Sequence, residues 1–300
     1  MRRLKILSVM IVVLICLSFY SRHLILSGRL AKSIDPNPVS LIHPDVPVIK
    51  MAPSPKLSTE SYILIDNDTN TIILAKNSDQ KIYPASTTKL ATALTALNIY
   101  SLDETITIQD LYTKGQNINL LSGETLTVRS LITALLVYSA NDAAYNLANH
   151  YPDGVSGFVN QMNLLVQKYN LKNTHFVNFD GIHNSEHYST VYDLSELGRI
   201  AMKNQIIRDT VKNKSTIITD VTGKIIHNLN STDQMLGKVP EIEGLKTGWT
   251  PEAGGCFVGL INLHGHYLIS VVAQSADRFA DTAYLVDWAK ENLSYQPYQP

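Results

Sequence analysis

A predicted helix start at residues 83–90 is the sequence feature that most constrains this chain. Pro84 stands just before a series of leucines with the i, i+4, i+7 spacing of one helix face: Leu90, Leu94 and Leu97. Ser86 and Lys89 are three residues apart at this start, so their side chains share a helix face. A buried, neutral lysine can accept the proton of a neighbouring serine hydroxyl, which makes Ser86 a candidate nucleophile.

The same four-residue pattern occurs a second time, at Ser78-Asp-Gln-Lys81. This copy lies before Pro84, in a polar stretch that has no helix start. A serine three residues before a lysine is a common pattern, so it identifies no nucleophile without support from the rest of the chain.

Composition is that of an ordinary folded protein. The chain has 300 residues, of which 45% are hydrophobic and 17% charged, enough for one sizeable core or two subdomains. Its net charge is −1, whereas nucleic-acid-binding proteins usually carry an excess of basic residues, so we expect no nucleic-acid partner. Cys16 and Cys256 lie in unrelated stretches, which predicts no internal disulfide. His264 and His266 lack a third ligand, so we expect no metal and no cofactor.

The first 57 residues are expected to lie outside the folded domain. Residues 1–26 combine a basic start with an apolar run, the pattern of a secretory signal or membrane anchor. The run is slightly short for a bilayer span and no clear cleavage site follows, which favours an uncleaved anchor but leaves cleavage open; a buried helix is the alternative. Residues 27–57 form a proline-rich linker. The catalytic domain is expected over 58–293, before a polar tail at 294–300.

Hydrophobic patterns predict a mixture of hairpins and helices within the folded domain. The expected elements are a hairpin at 62–74, helices at 126–149 with a polar corner, helices at 157–169 and 194–204, a hairpin at 215–229, strands at 256–263 and 266–273, and a closing helix at 277–293. The apolar runs of the first hairpin are nearly continuous, so we expect both faces of its strands to be covered.

Two further polar sites lie at the ends of these elements. Ser139 and Asn141 fall between two apolar helical stripes, where serine and asparagine side chains favour a corner. An ordinary capped turn would also explain them. Lys246-Thr247-Gly248 precedes two strong strands and is expected on a strand edge beside them.

Together, Ser86-x-x-Lys89, Ser139-x-Asn141 and Lys246-Thr247-Gly248 resemble the penicillin-recognising serine enzymes in order and approximate spacing. The resemblance is closest to the D-alanyl-D-alanine carboxypeptidase family of low-molecular-mass penicillin-binding proteins, and it covers the whole folded region. Neighbouring residues extend it: Pro84-Ala85, Asp142-Ala-Ala144, Asp180-Gly-Ile182, Tyr188-Ser-Thr190, Gly244-Leu245, Ala253-Gly254 and Arg278-Phe279. It implies an α+β fold, an α/β sandwich of the β-lactamase/transpeptidase-like type, in which helices and a mostly helical subdomain flank an antiparallel sheet.

The resemblance also implies an activity and its catalytic residues. The enzyme would remove the terminal D-alanine from peptidoglycan stem peptides through an acyl-enzyme on Ser86. Lys89, kept neutral by burial and a cationic neighbour, would take the hydroxyl proton. Ser139 would relay that proton to the leaving amine, and Asn141 would hold Lys89 and the substrate amide.

Four residues around the strand edge would bind the substrate. Lys246 and Thr247 would hold the terminal carboxylate, and Gly248 would let the substrate backbone approach. The backbone N–H groups of Ser86 and Trp249 would stabilise the oxyanion, although the family often has histidine at the position of Trp249. The implied partners are a stem peptide ending in D-Ala-D-Ala, β-lactams as covalent inhibitors, and the membrane through the N-terminal segment. The implied location is extracytoplasmic, either membrane-anchored or secreted to the cell wall.

Three other functions fit parts of the pattern. A DD-endopeptidase that cuts cross-links has the same motifs and chemistry. A class A β-lactamase also needs an activating glutamate, and none of the glutamates between Asn141 and Lys246 stands in a Glu-x-x-x-Asn setting. A non-enzymatic peptidoglycan-binding protein would be expected to lose Ser86 or Lys89.

Overall fold

The structure, a computed structural model, describes residues 44–298 as a mixture of strands and helices. Its strands are β1 (Val46–Ile49), β2 (Ser61–Asp66), β3 (Ile72–Lys76), β4 (Thr105–Thr107), β5 (Thr125–Thr127), β6 (Ser215–Thr219), β7 (Ile226–Asn230), β8 (Ile242–Thr250), β9 (Gly254–Leu263), β10 (His266–Ser275) and β11 (Leu293–Gln296). Its helices are α1 (Lys89–Ile99), α2 (Val128–Val137), α3 (Asn141–Asn149), α4 (Gly154–Lys168), α5 (Val191–Met202), α6 (Gln205–Val211) and α7 (Arg278–Asn292). A short 3-10 turn, Ala85–Thr88, leads into α1.

A five-stranded antiparallel sheet in the order β3-β2-β10-β9-β8 forms the centre of the fold. Strands β2, β9 and β10 are buried along most of their length because helices cover both of their faces. The expectation of covered faces is therefore right for β2. It is wrong for β3, which is an edge strand with most of its residues partly or fully exposed.

Successive side chains along a strand point to opposite faces of the sheet, and each face packs against its own hydrophobic core. Ile63 and Ile65 face the larger core, which also holds the buried faces of α1 to α5. Tyr62 and Leu64 face the smaller core, where α7 packs through Leu285 and Trp288. The predicted closing helix thus covers one face of the sheet, while the mostly helical part of the protein covers the other.

Helix α5 lies against the sheet at van der Waals distance because its residue 198 is a glycine. A methyl group on Gly198 would lie 3.1 Å from Val258 Cγ1 and 3.2 Å from Ile269 Cγ2. Helix α2 begins where Thr127 accepts a hydrogen bond from the Ser130 N–H. The predicted helix–corner–helix is present: α2 ends at Val137, and α3 begins at Asn141.

A separate two-stranded sheet joins the two ends of the described chain. Strand β1 pairs antiparallel with β11, and Val46 lies opposite Gln296. Strand β1 lies before the range 58–293 assigned to the folded domain and β11 continues beyond its end, so regular structure extends into the predicted linker and tail. Prolines suggested a spacer, but Pro47 is compatible with β1 because, within residues 44–298, β1 pairs with β11 alone and needs only one row of hydrogen bonds. The predicted signal or anchor at 1–26 lies outside the described residues.

None of the helices within residues 44–298 is long and apolar enough to span a membrane.

Candidate active site

Ser86 and Lys89 lie together at the junction of the 3-10 turn and α1. Lys89 Nζ donates a hydrogen bond to Ser86 Oγ over 2.9 Å, and no part of Lys89 is exposed to solvent. The turn begins at Ala85, whose φ of 47° is a left-handed conformation that a residue with a side chain rarely adopts. The backbone strain therefore lies directly beside the candidate nucleophile.

The backbone of Asp180 completes the surroundings of this pair. Its carbonyl oxygen accepts hydrogen bonds from Lys89 Nζ at 3.0 Å and from Ser86 Oγ at 3.5 Å. The next residue, Gly181, has a φ of 86°, and a Cβ there would lie 1.9 Å from the carbonyl oxygen of Ala85. Only glycine lets this turn pack against the nucleophile's turn.

Burial lowers the pKa of the Lys89 ammonium to about 8, while the nearby carboxylates of Asp180 and Asp142 act in the opposite direction. Roughly a tenth of such an amine is neutral at pH 7. The sequence analysis expected burial and a cationic neighbour to keep this amine neutral; burial lowers its pKa, whereas the neighbouring charges that act on it are the two carboxylates that raise it. Lys89 thus has the protonation behaviour that a general base requires.

The predicted corner brings Ser139 and Asn141 to the same region. Ser139 has a left-handed φ of 67° and is 3% exposed, and no residue within 44–298 forms a hydrogen bond with its hydroxyl. Asn141 Nδ2 donates a hydrogen bond to the carbonyl oxygen of Lys114 at 3.0 Å rather than to a group of Lys89. Asn141 Oδ1 is buried and has no hydrogen-bond partner in the described part of the chain, so it is an unused acceptor at the site.

A loop that the sequence analysis did not single out, residues 112–120, holds this corner in place. The Asn141 N–H donates to Gln116 O at 2.7 Å, and the Asp142 N–H donates to Asn117 Oδ1 at 2.9 Å. The Asp142 carboxylate accepts in turn from the N–H groups of Ile118 and Leu120. These long-range bonds leave no periodic pattern in the sequence, which is why the loop was missed.

The same loop also reaches the nucleophile's surroundings through Tyr112. The Tyr112 hydroxyl donates to Asp180 Oδ2 at 2.7 Å, and its ring stacks on Tyr145 with centroids 4.9 Å apart. Since the Asp180 carbonyl contacts Lys89 and Ser86, Tyr112 links the loop to both candidate catalytic groups. A tyrosine in a polar stretch gives no sequence signal for this role.

Strand β8 forms the opposite side of the site. Thr247 Oγ1 lies 2.7 Å from Thr232 Oγ1, so the described chain already supplies a partner for the hydroxyl expected to bind substrate. A Cβ on Gly248 would lie 2.9 Å from the backbone nitrogen of Ser86 and 3.0 Å from Ala85 Cβ. The absence of a side chain at Gly248 therefore lets the nucleophile's own turn pack against β8.

Positively charged side chains gather beneath this strand. Lys246 is 1% exposed, and its Nζ donates to the carbonyl oxygen of Thr247 at 3.2 Å. Burial lowers the pKa of Lys246 well below its usual value; the charges of Lys89 and Arg278 lower it further, while Asp233 opposes them. Arg278 Nε is buried without a hydrogen-bond partner among the described residues. The sequence analysis quoted Arg278 within the family resemblance but did not name it as a site residue.

The remaining predicted residue, Trp249, lies on the same strand with 60% of its surface exposed. Within residues 44–298 no group of three or more histidine, cysteine, aspartate or glutamate side chains is placed to bind a metal ion. The groups that converge here are a serine hydroxyl, two buried lysine amines, an unused amide oxygen and the guanidinium of Arg278. This set suits acyl transfer to serine from a substrate that carries a carboxylate.

Comparison with known proteins places this arrangement in a family. The family model for D-alanyl-D-alanine carboxypeptidase matches residues 48–277. A D-alanyl-D-alanine carboxypeptidase of Streptomyces sp. (strain K15) is 34% identical over 239 residues, which cover 74% of this chain and 82% of that protein. The carboxypeptidase DacF of Bacillus subtilis is 28% identical over 248 residues, 79% of this chain and 64% of the relative.

Solved structures show the same likeness. The crystal structure of the Streptomyces K15 DD-transpeptidase is 32% identical and aligns with a TM-score of 0.75 over 79% of this chain and 98% of that one. The predicted fold class is confirmed by this match. With a family model over most of its length and a relative at 34% identity, this chain belongs to the D-alanyl-D-alanine carboxypeptidase family of serine peptidases.

Proposed function

We propose that this enzyme removes the terminal D-alanine from peptidoglycan stem peptides through an acyl-enzyme on Ser86. The observation that supports this most directly is the 2.9 Å contact between Ser86 Oγ and Lys89 Nζ, made by a fully buried lysine. Burial lowers the pKa of that lysine to about 8, so a neutral amine is available as base near neutral pH.

In the acylation step, Ser86 Oγ attacks the carbonyl carbon between the two D-alanines while its proton passes to Lys89 Nζ. The oxyanion that forms is stabilised by the backbone N–H groups of Ser86 and Trp249. The close approach of Gly248 to the Ser86 nitrogen supports this pairing, because it brings β8 next to the nucleophile's turn.

Collapse of this intermediate breaks the C–N bond and leaves Ser86 as an ester. The departing D-alanine amine takes the proton from Lys89 by way of the Ser139 hydroxyl, which has no competing hydrogen bond within residues 44–298. Asn141 Oδ1, buried and unpartnered in that range, accepts from the substrate amide or from Lys89. Water then attacks the ester, and its proton returns through Lys89 to Ser86.

The terminal carboxylate of the substrate binds at Lys246 and Arg278. A guanidinium stays protonated, so Arg278 supplies a permanent charge. Burial lowers the pKa of Lys246, but an entering carboxylate favours the protonated form and raises it again. We assign Thr247 a supporting part, because Thr232 already holds its hydroxyl.

A labelled penicillin tests the covalent step. The wild-type protein should carry one label on Ser86, located by peptide mass spectrometry, and should release D-alanine from a D-Ala-D-Ala peptide. Label on a different residue, or no D-alanine released, would contradict the proposal. Product analysis on cross-linked and uncross-linked muropeptides then separates the carboxypeptidase from an endopeptidase, because the endopeptidase consumes only the cross-linked species.

We also propose that residues 1–26 direct the enzyme out of the cytoplasm and hold it at the membrane. Their basic start and apolar run support this role. Fractionation of cells that express the full chain or residues 27–300 tests it: only the full chain should reach the membrane fraction. Equal distribution of the two would contradict the proposal.

A further inference from the structure

A buried histidine that takes no part in the proposed chemistry contacts the nucleophile's turn. His187 is 1% exposed, and its Nε2 lies 2.8 Å from Thr88 Oγ1. Thr88 is the last residue of the 3-10 turn and immediately precedes Lys89, where α1 begins. At Nδ1 the imidazole accepts a hydrogen bond from the Val177 N–H over 3.2 Å. The ring therefore joins the start of the helix that carries Lys89 to a segment far away in the sequence.

These two contacts determine which nitrogen of the ring carries a proton. Because Nδ1 accepts from a backbone N–H, the proton of the neutral imidazole lies on Nε2, which donates to Thr88 Oγ1. Burial lowers the pKa of His187 to about 3, and the neighbouring His175 and His183 lower it further. The ring therefore stays neutral, with this one arrangement of donor and acceptor, over the pH range in which Lys89 titrates.

The segment that His187 holds is a closed loop, residues 176–187. His175 and Tyr188, which flank it, exchange two backbone hydrogen bonds of 2.9 and 3.0 Å. The contact between the Val177 N–H and His187 follows just inside the loop. Backbone pairing and the imidazole together therefore fix the base of the 176–187 loop.

The far part of this loop reaches the same helix. The Asp180 carbonyl accepts a hydrogen bond from Lys89 Nζ at 3.0 Å, and the Phe179 carbonyl accepts one from Thr92 Oγ1 at 2.6 Å. The 176–187 loop thus contacts the first turns of α1 both at its base and at its far part. A change at the base therefore alters how the far part meets the catalytic groups.

We propose that His187 is a positioning residue for acylation, which ties the base of the 176–187 loop to Thr88 and so holds the Asp180 carbonyl against Lys89. With its base fixed to α1, the loop stays closed over the Lys89 side chain and keeps water away from it. Exclusion of water is the main cause of the lowered pKa of that amine. This role deepens the proposed function and rests on it, because it affects the reaction only if Lys89 is the base.

A histidine that only filled the core would respond differently to substitution. The ring of His187 packs against Phe176 with centroids 5.3 Å apart, so a phenylalanine at position 187 can occupy much the same volume. It would leave the Val177 N–H and the Thr88 hydroxyl without this partner. Glutamine instead keeps an N–H donor at the end of its side chain, where it can reach Thr88. The two substitutions therefore separate packing from hydrogen bonding.

The rate of acylation by penicillin, measured on the full chain between pH 6 and 10, tests this role. His187→Phe should acylate roughly tenfold more slowly at pH 7, since the far part of the loop is less firmly held. The midpoint of its pH profile should lie about 0.5 unit above that of the wild type, because water reaches Lys89 and raises its pKa. His187→Gln should stay within about threefold of the wild-type rate and keep the wild-type midpoint. The charged groups around Lys89 are unchanged in both variants: Asp142, Asp180 and Lys246.

The partner of His187 provides a second, independent variant. Thr88→Val removes the hydroxyl with little change in volume and should show the same slower rate and raised midpoint as His187→Phe. The double variant should be slower than either single variant by no more than about twofold, because both substitutions break one contact. Thr95→Val is the matched control on the same helix: Thr95 is buried, and its hydroxyl has no partner within residues 44–298. It should keep the wild-type rate and profile.

A variant on the other face of the sheet distinguishes positioning from a general loss of stability. Leu285 is fully buried in the smaller core. Leu285→Ala should lower the urea midpoint of unfolding but leave the midpoint of the acylation profile unchanged. An equal shift of the acylation midpoint in Leu285→Ala, or an unshifted profile in His187→Phe and Thr88→Val, would overturn the role of His187.

Two further readouts separate this proposal from the one it rests on. Nitrogen NMR of the full chain with isotope-labelled histidine should show His187 neutral, with its proton on Nε2, from pH 5 to 9; a charged ring or a proton on Nδ1 contradicts the positioning role. If penicillin labels Ser86 in the wild type and the His187 and Thr88 variants acylate as the wild type does, only the positioning role is wrong. If the wild type takes no label, the proposed function fails and the positioning role fails with it.

Discussion

Two segments of this protein carry the same pattern, Ser78-Asp-Gln-Lys81 and Ser86-Thr-Thr-Lys89, and the structure treats them in opposite ways. Lys89 is fully buried and donates to Ser86 Oγ at 2.9 Å. Lys81 is exposed and lies over a tyrosine ring, while the Ser78 hydroxyl donates to the Asp79 carboxylate at 3.3 Å. Only one pair is therefore a serine and a lysine in contact.

The difference teaches that three-residue spacing is only the first requirement for this chemistry. Ser86 and Lys89 sit at the start of a helix, and the Asp180-Gly181 turn and β8 pack against them. Ser78 is only partly buried and Lys81 is exposed, so the second pair is not enclosed as Ser86 and Lys89 are. Burial, and not the motif, produces the general base.

The largest expected effect separates the two serines. Ser86→Ala should reduce covalent labelling by penicillin by at least about 10⁴-fold, because the attacking oxygen is gone. Ser78→Ala should label like the wild type, since within residues 44–298 its hydroxyl forms a hydrogen bond only with Asp79. Intact-protein mass spectrometry measures both, and label retained in Ser86→Ala would contradict the assignment of the nucleophile.

Removing the base should have the next largest effect. Lys89→Met fits the buried site by volume and should slow acylation by about 10³-fold, because the serine proton has no acceptor. In the wild type, deprotonation creates the active form of Lys89, so the acylation rate should rise with pH through about 8. Stopped-flow acylation between pH 6 and 10 measures this. A rate that falls over this range, or that keeps the same profile in Lys89→Met, would exclude Lys89 as the base.

Disturbing the packing of the Asp180-Gly181 turn should reduce activity less than removing Ser86 or Lys89, but it tests whether close packing around Lys89 sets this pair apart from Ser78 and Lys81. Gly181→Ala forces a Cβ to 1.9 Å from the Ala85 carbonyl oxygen, so we expect a loss of about 3 kcal/mol in unfolding free energy together with slower acylation. Gly223 has a similar φ of 71°, but a Cβ there meets nothing within 4 Å. Gly223→Ala should therefore cost only about 1 kcal/mol. Urea unfolding of both variants compares them, and equal losses would show that backbone conformation alone requires Gly181.

The smallest effect is expected for Tyr112→Phe, which removes the hydrogen bond to Asp180 Oδ2. Loss of one hydrogen bond to a charged group should lower the acylation rate about fivefold through a less fixed Asp180 turn. Tyr145 stacks on Tyr112, and its hydroxyl forms no hydrogen bond within residues 44–298. Tyr145→Phe is thus the matched control. Equal rates in the two variants would remove Tyr112 from the positioning network.

Much of the fold follows from local patterns. The leucine spacing of α1, the polar corner at Ser139 and the strong strands before α7 are visible because period and composition reflect burial directly. Strand β3 was predicted as part of a hairpin, but its exposure at the sheet edge and the β1–β11 pair were not. Strand order and pairing between distant segments depend on the whole sheet, and no window of sequence contains them.

The candidate site also has a part that the sequence predicted and a part that it did not. The sequence motifs identified five candidate residues, and the structure brings their segments together: Ser86, Lys89, Ser139, Asn141 and Lys246. The structure adds contacts that the sequence analysis did not expect, because the nucleophile's turn packs against Gly248 and Thr232 lies within hydrogen-bond distance of Thr247. Tyr112 and the 112–120 loop were missed, because contacts between residues far apart in the sequence produce no regular spacing in it.

The sequence by itself determined which side chains were available and in what order: a serine three residues before a lysine, a polar corner, and a lysine on a strand edge. It also determined local helices and strands, because neighbouring residues set their periodicity. Only the tertiary structure decided which of two identical motifs became reactive. The pKa of a lysine depends on the removal of water and on charges brought from distant parts of the chain, and these exist only after Asp180, Asp142 and β8 have packed around Lys89.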